Sequence, residues 1–354
     1  MPPLFSNYLL KGLPVKNRIV FPPVVCFHYA GDDGIVIDRN VEHYRQIAAG
    51  GPGIVITEAT AVLKNGRLAP FQLGIWSDEH IKGMSRIAAA VKKEGAISLL
   101  QIHHAGLLTN EQVSPVAKAP SAFASNPRSV ALTTEEIDET RQAFIDAASR
   151  AQKAGYQGVE LHGAHGYLLN QFASSFFNKR EDEYGGNFAK SMKLATEIIL
   201  GIRAVCGNDF IIGYRLGANS PSLEDGIAIA QHLEKTGIDL LHVSHGGSLV
   251  NLPRTPPGYE YNWIVYSGSV IKAHAGIPVI VVNEIKTRER AEWLLENNHA
   301  DFAALARPQL ADPDWVTHVK HDEKVNPCLT CKPKCRWFED SRLCPARKKI
   351  TIDK

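Results

Sequence analysis

Short runs of apolar and β-branched residues recur along the chain, and longer stretches between them return an apolar residue every three or four positions. The short runs are Arg18–Phe21, Ile54–Thr57, Ile97–Ile102, Gly158–Leu161, Ile211–Arg215, Leu240–Ser244, Val279–Val282 and Phe302–Leu305. Their length and bounding turn residues predict strands. The longer stretches, Arg39–Ala49, Asp78–Glu94, Thr134–Ala154, Asn187–Cys206, Leu223–Thr236, Val265–Ala275 and Thr287–Asn297, carry the helical period. Thr133-Thr134-Glu135-Glu136 and Ser77-Asp78-Glu79 supply helix starts, and Gly95, Gly155, Gly237 and Gly276 follow helices where C-terminal glycines belong. Strands alternating with helices imply βαβ units and a parallel sheet. Their number predicts a closed (β/α)8 TIM barrel rather than an open doubly wound sheet, with a short cysteine-rich segment after it.

In such a barrel the chemistry sits at the C-terminal ends of the strands. Polar residues gather there: Gln101-Ile-His103-His104-Ala-Gly106 after the third strand, His162 after the fourth, Arg215 on the fifth, His242-Val-Ser244-His245-Gly246-Gly247 on the sixth, and Ala306-Arg307-Pro308 after the eighth. The stretch from Tyr156 to Asn187 stands out. A strand delivers His162, His165 and Tyr167 in quick succession and runs into the polar Asn178–Gly186. Two imidazoles and a phenol at a strand end suit a floor that holds a substrate oxygen and delivers a proton. His103, His104 and His245 are expected at the rim or in structural roles. Leu107–Leu132 and Ser248–Tyr261 lack periodicity and predict loops, the first partly covering the mouth.

Composition excludes other classes. The 354 residues are 44% hydrophobic, and 39 basic side chains nearly balance 37 acidic ones. No nucleic-acid or membrane-surface partner is expected on that balance. No apolar run approaches the roughly 18 residues of a membrane span, and the N-terminus lacks the pattern of an export signal. A cytoplasmic location is expected. Four of the six cysteines crowd into Cys328-x2-Cys331-x3-Cys335-x8-Cys344. Without export, this reads as metal ligation before disulfides. Spacing alone fits zinc and a 4Fe–4S cluster equally. Basic residues surround the cysteines: Lys332, Lys334, Arg336, Arg342, Arg347, Lys348 and Lys349. They would offset a negative cluster and could meet an acidic electron carrier.

Several stretches resemble the old yellow enzyme family of flavin-dependent ene-reductases. These are Lys16-Asn17-Arg18-Ile19-Val20 with Pro23, Gln101-x-x-His104-x-Gly106, His162-Gly-Ala-His165-Gly-Tyr167-Leu-x-x-Gln171-Phe172, and Asn178-x-Arg180-x-Asp182-x-Tyr184-Gly-Gly186. Asn283-Glu-Ile285, Ala306-Arg307-Pro308-x-Leu310-Ala-Asp312-Pro313-x-Trp315 and the cysteine run look like the 2,4-dienoyl-CoA reductase and trimethylamine dehydrogenase branch. Long members of that branch continue into flavin- and nucleotide-binding domains, which do not follow before Lys354.

The resemblance implies an FMN-binding barrel over 1–322 and a four-cysteine segment over 323–354. It implies that Pro23, Val24 and either Val25 or Cys26 line one flavin edge, Ala59 approaches by its backbone, and Gln101 bonds the pyrimidine ring. Arg215 would face the N1–C2=O region. Gly246, Gly247, Asn283, Ala306 and Arg307 would hold the phosphate; the common pattern has glycine at positions 283 and 306. His162 and His165 would take a substrate carbonyl oxygen, and Tyr167 would give the proton. Cys328, Cys331, Cys335 and Cys344 would ligate a 4Fe–4S cluster, in preference to zinc. The implied activity is NAD(P)H-dependent reduction of an activated C=C bond in a small molecule. Alternatives are a flavin and iron–sulfur amine dehydrogenase or demethylase, or an electron-transfer subunit. A homo-oligomer is expected, with an electron-carrier protein or separate reductase subunit as a further partner.

Overall fold

A computed structural model describes residues 4–248 and 251–347. Lys348 and Lys349, and residues 249–250 of the second predicted loop, lie outside the described residues. The eight predicted strands form one closed parallel barrel in sequence order: β1 Ile19–Phe21, β2 Ile54–Ala61, β3 Ile97–His103, β4 Gly158–Gly163, β5 Ile211–Gly217, β6 Leu240–Ser244, β7 Val279–Val282 and β8 Phe302–Ala304. The barrel closes where β8 pairs with β1, Ala303 opposite Ile19. Every strand residue from β1 to β6 is buried, as strands covered on both faces must be.

The outer helices are α1 Asp38–Ala49, α2 Glu79–Lys93, α3 Thr134–Lys153, α4 Lys193–Cys206, α5 Leu223–Thr236, α6 Trp263–His274, α7 Arg288–Glu296 and α8 Trp315–Lys320. The local code behind α3 is clear. Thr133 Oγ1 accepts from Glu136 N–H at 3.2 Å, and the Glu136 carboxylate accepts from Thr133 N–H at 3.0 Å, closing a capping box. Ile137, Thr140, Phe144, Ala147, Ala148 and Ala151 make the buried stripe. The chain leaves through Gly155 at φ +91°. At α2, Ser77 Oγ lies 3.1 Å from His80 Nδ1, but no side chain caps the backbone of the first turn, whose N-cap is Asp78. No helix of the described residues is long and apolar enough to cross a membrane.

The structure differs from the sequence reading at four places. The helix expected over Asn187–Cys206 is interrupted at Met192 (ψ −7°). Its first turn, Phe188–Ser191, buries no residue, so nothing on the core side holds it in line. Gly276 takes no left-handed conformation. Helix α6 ends at His274, Ala275 is extended, and the Gly276 N–H is taken by the Glu234 carboxylate at 3.0 Å. Leu107–Leu132 contains a small parallel pair, Ala117–Ala119 with Ser129–Ala131. An unpredicted hairpin, Tyr8–Leu10 with Leu13–Val15, turns at Lys11-Gly12, both at positive φ. Its Leu10 and Val15 pack with Val20, Ile54, Leu99 and Phe302 and plug the N-terminal end of the barrel. The other end is left as the mouth.

Residues 323–347 pack directly on the barrel. Trp337 is fully buried beside His43 and Tyr29, and its indole N–H donates to the Val25 carbonyl at 3.0 Å. Ser341 Oγ donates to Phe27 O at 2.8 Å. Asn326 clasps both ends of the cysteine run: its side-chain amide donates to Ala311 O and Ala346 O, and its N–H to the Asp312 carboxylate.

Candidate active site

The mouth opens into a cavity of about 650 Å³, within the range of small-molecule and cofactor sites. Residues after β1 form one wall. Pro22, Pro23, Val24, Val25 and Phe27 line it. Cys26 does not. The extended chain turns its thiol inward, and its N–H donates to Glu58 Oε2 at 2.8 Å. Of the two candidates for that edge, Val25 is the one at the cavity. Burial pushes the Cys26 thiol well up, with the neighbouring Glu58 adding to the effect, so it is held as a protonated core group. Ala59 from β2, Gln101 from β3 and Arg215 from β5 also line the cavity.

The far wall carries Asn283, Ala306 and Arg307. Asn283 holds φ +106°, a conformation glycine adopts freely and asparagine tolerates better than most residues. The backbone shape expected of glycine is therefore kept by a different side chain. Arg307 pairs with Glu284. The Gly246 and Gly247 N–H groups donate to Asn219 Oδ1 at 2.7 Å and Asn170 Oδ1 at 2.9 Å, so both are engaged within the protein. A Cβ at Gly247 would lie 2.3 Å from the Gly166 Cα, and one at Gly246 2.5 Å from Asn219 O. Glycine is required there because two loops touch backbone to backbone.

His162, His165 and Tyr167 come together at the mouth, with ring centroids 4.7–6.1 Å apart. The imidazoles form a chain. His103 Nδ1 lies 3.2 Å from His162 Nδ1, His162 Nε2 lies 3.0 Å from His165 Nδ1, and His165 Nε2 lies 2.7 Å from Ser244 Oγ. His165 reaches this position at φ +60°. Burial holds every ring in the chain neutral: His103 is lowered to about 3, and His162 and His165 well below the ordinary histidine value, with Arg215 adding repulsion. Tyr167 is pushed up to about 12 by burial, against the pull of Arg215. Arg215 is itself buried, and its Nε has no partner.

The run Asn178–Gly186 is not part of this floor. Arg180 donates to the carbonyls of Pro120 and Leu132, and Asn178 to those of Phe172 and Tyr184. It latches the 107–132 loop to the segment after β4. Three site residues escaped the sequence reading as functional: His103, Glu160 and His242. Glu160 accepts from Gln101 Nε2 at 2.7 Å and lies 2.8 Å from His242 Nδ1. The available signal was strand alternation, which puts residues 160 and 162 on one face.

A second cavity of about 240 Å³ is lined by Cys328, Cys331, Cys335 and Cys344, with Arg307, Leu310 and Trp337. The Cys335 thiol is pushed up by burial first and then by the three other thiols. Zinc–sulfur bonds of 2.3 Å would bring sulfurs to roughly 3.8 Å of one another. Among the described residues, ligand-type atoms within 4.8 Å of each other occur in a group of three at Asp312, Asp314 and His318, not at the cysteines. The four thiols line this cavity, and no three of them lie within 4.8 Å of one another. Asp312 at the other group is already engaged by His318 and the Asn326 N–H.

The sequence profile of the NADH:flavin oxidoreductase / NADH oxidase family matches residues 3–326. The chain belongs to this family of flavin oxidoreductases. It is 38% identical to a NADH oxidase of Thermoanaerobacter brockii over 97% of its own length and 55% of the relative's. To a NADPH dehydrogenase of Halalkalibacterium halodurans it is 38% identical over 88% of its length and 92% of the relative's. Among solved structures, 2-naphthoyl-CoA reductase superposes with a TM-score of 0.84 at 26% identity, over 95% of this chain and 55% of that one. Morphinone reductase in complex with tetrahydroNAD gives 0.80 at 26% identity, covering 93% of each. The chain therefore spans about half the length of the NADH oxidase and of the naphthoyl-CoA reductase. Coverage of 97% and 95% requires residues beyond Asn326, so both alignments enter the cysteine segment.

Proposed function

We propose that the chain is an FMN-dependent reductase of activated C=C bonds in α,β-unsaturated carbonyl compounds, fed by NAD(P)H. The observation that carries this reading is the convergence of His162, His165 and Tyr167 with buried Arg215 on one cavity at the barrel mouth. The residues fit FMN: an apolar wall after β1, a glutamine held by a carboxylate, an arginine with an unpartnered Nε, and Arg307 on the wall where a phosphate would sit. FMN, when bound, supplies hydride from N5. Arg215 would hold positive charge toward the bound flavin and favour its reduced form.

In this reading the substrate oxygen enters between His162 and His165 and replaces their mutual contact. Each neutral ring then donates one hydrogen bond, while His103 and Ser244 keep the outer nitrogens oriented. The negative charge that builds on that oxygen meets two donors in a site shielded from water. Tyr167 delivers the proton to the carbon next to the carbonyl. A phenol pushed to about 12 stays protonated at neutral pH, yet is far more acidic than a carbanion.

The second part of the proposal is a 4Fe–4S cluster on Cys328, Cys331, Cys335 and Cys344. Residues 1–322 then act as the flavin unit and 323–354 as the cluster unit, as in the 2,4-dienoyl-CoA reductase-like branch. The four thiols lining one cavity and the two long alignments support this. The likeness to 2-naphthoyl-CoA reductase makes an enoyl or dienoyl thioester the first substrate class to try beside simple enones.

Turnover of 2-cyclohexenone and of a 2,4-dienoyl-CoA, with NADH, NADPH and dithionite as separate donors, tests the activity. If dithionite-reduced, FMN-loaded protein reduces no enone, the ene-reductase reading fails. Anaerobic purification with iron and sulfide analysis tests the cluster, and zinc without acid-labile sulfide would refute it.

A further inference from the structure

Glu160 sits one layer beneath the reactive face, and nothing in the proposed reaction uses it. It is 1% exposed and does not line the cavity. Both its oxygens are engaged, on different neighbours. Gln101 Nε2 donates to Oε1 at 2.7 Å, and His242 Nδ1 lies 2.8 Å from Oε2. The barrel register builds this row. Gln101 stands opposite Glu160 across β3 and β4, and His242 stands opposite Arg215 across β5 and β6.

Two consequences follow from donor and acceptor counting. A carboxylate only accepts, so Gln101 must turn its NH₂ toward Glu160 and its carbonyl oxygen elsewhere. An unattached glutamine amide could present either end; this one cannot. Burial holds His242 neutral. It therefore donates through Nδ1, and its Nε2 is left without a partner. The carboxylate is thus matched by two neutral donors, and His242, which it holds, stands opposite the buried Arg215 in the next strand. Burial disfavours the Arg215 charge, and the first group that offsets this is Glu160.

We infer that Glu160 is a positioning residue for the flavin: it fixes the Gln101 amide with its carbonyl oxygen toward the cavity, and it partly neutralises Arg215. This rests on the FMN reading. An uncompensated Arg215 would favour the negatively charged reduced cofactor more strongly. Glu160 moderates that preference and keeps the cofactor a competent hydride donor.

The test uses the whole chain with FMN. Glu160→Gln keeps the shape and the acceptor for Gln101, and it can still bond His242 once that ring moves its proton to Nε2. Only the charge is lost. Reduced FMN should then bind at least about tenfold more tightly relative to oxidised FMN, a midpoint shift of about +30 mV for a two-electron couple. Glu160→Asp keeps the charge but withdraws the carboxylate by one methylene. Its midpoint should stay near wild type while the Kd for oxidised FMN rises about tenfold. A Glu160→Gln midpoint equal to or more negative than wild type overturns the charge role. Unchanged FMN affinity in Glu160→Asp overturns the orienting role, and that variant decides alone if Glu160→Gln does not fold. Failure of the wild-type chain to take up FMN is a different result and overturns the flavin reading itself.

Discussion

Tyr167 lies against His103 and His162 with its ring edge-on to both, 4.5 and 4.7 Å between centroids, and it lines the cavity. Because burial pushes the phenol to about 12, it holds its proton throughout the working range. Tyr167→Phe should lower turnover by about 10²-fold, the smaller end of what a positioned acid contributes. The wild-type rate should show no loss from this group between roughly pH 6 and 10. Full turnover in the variant would remove Tyr167 from the reaction. The buried imidazoles make a second statement about pH. His103 is lowered to about 3 and His104 to about 4, both by burial, and His162, His165 and His242 are lowered too. A depressed folded value means that the unfolded chain binds more protons once pH falls below about 6.5. Their stability contribution is complete above that value and is lost as pH falls toward the folded values. Glu58, raised to about 7 by burial, works oppositely: its contribution is complete below the ordinary carboxylate range and is lost as pH rises through 7. The histidines outnumber it, so Tm should drop by at least about 5 °C between pH 7.5 and 5. A flat or rising profile would contradict the buried, neutral chain. His162, His165 and Tyr167 were legible because they follow one strand end within six residues. The roles of His103 and His242 were not, because the contacts that define them cross between strands, and no single segment records its neighbour's register.

At the level of elements, the sequence carried the barrel well. Strand and helix periods differ sharply, and caps such as Thr133 mark where one passes to the other. Thr133→Ala should cost about 1 kcal/mol, seen as a Tm lowered by about 2 °C with turnover unchanged. A loss of turnover would mean that α3 does more than support. The hairpin at the barrel base was illegible because its strands are three residues each, with Pro14 in one of them. The glycine pair after β6 is ambiguous for a related reason. A glycine needed for close backbone approach looks the same in sequence whether a phosphate or another loop approaches. Gly166, facing Gly247, is the residue that distinguishes the cases, and it lies 81 positions away. The polar run after Tyr167 has the same ambiguity. Arg180 and Asn178 resemble site residues in type, but backbone carbonyls absorb their donors.

Across the whole molecule the two cavities share a wall. Arg307 faces both, Phe338 reaches the larger, and Trp337 lines the smaller while holding the Val25 carbonyl beside the larger. Trp337→Ala would empty a fully buried indole, costing about 3–5 kcal/mol, and should weaken FMN binding without touching any residue of the proposed reaction. Unchanged FMN affinity in a folded Trp337→Ala protein would show that the wall stands without it. The indole-to-Val25 bond has a thermodynamic corollary. If the four cysteines hold the proposed cluster, whatever factor separates FMN affinity in the cluster-loaded and cluster-free protein must equal the factor by which FMN changes retention of the cluster at equilibrium. Each prosthetic group would then act as the other's preservative. Chelator-stripped protein should release FMN more readily, and FMN-saturated protein should resist iron loss to the same extent.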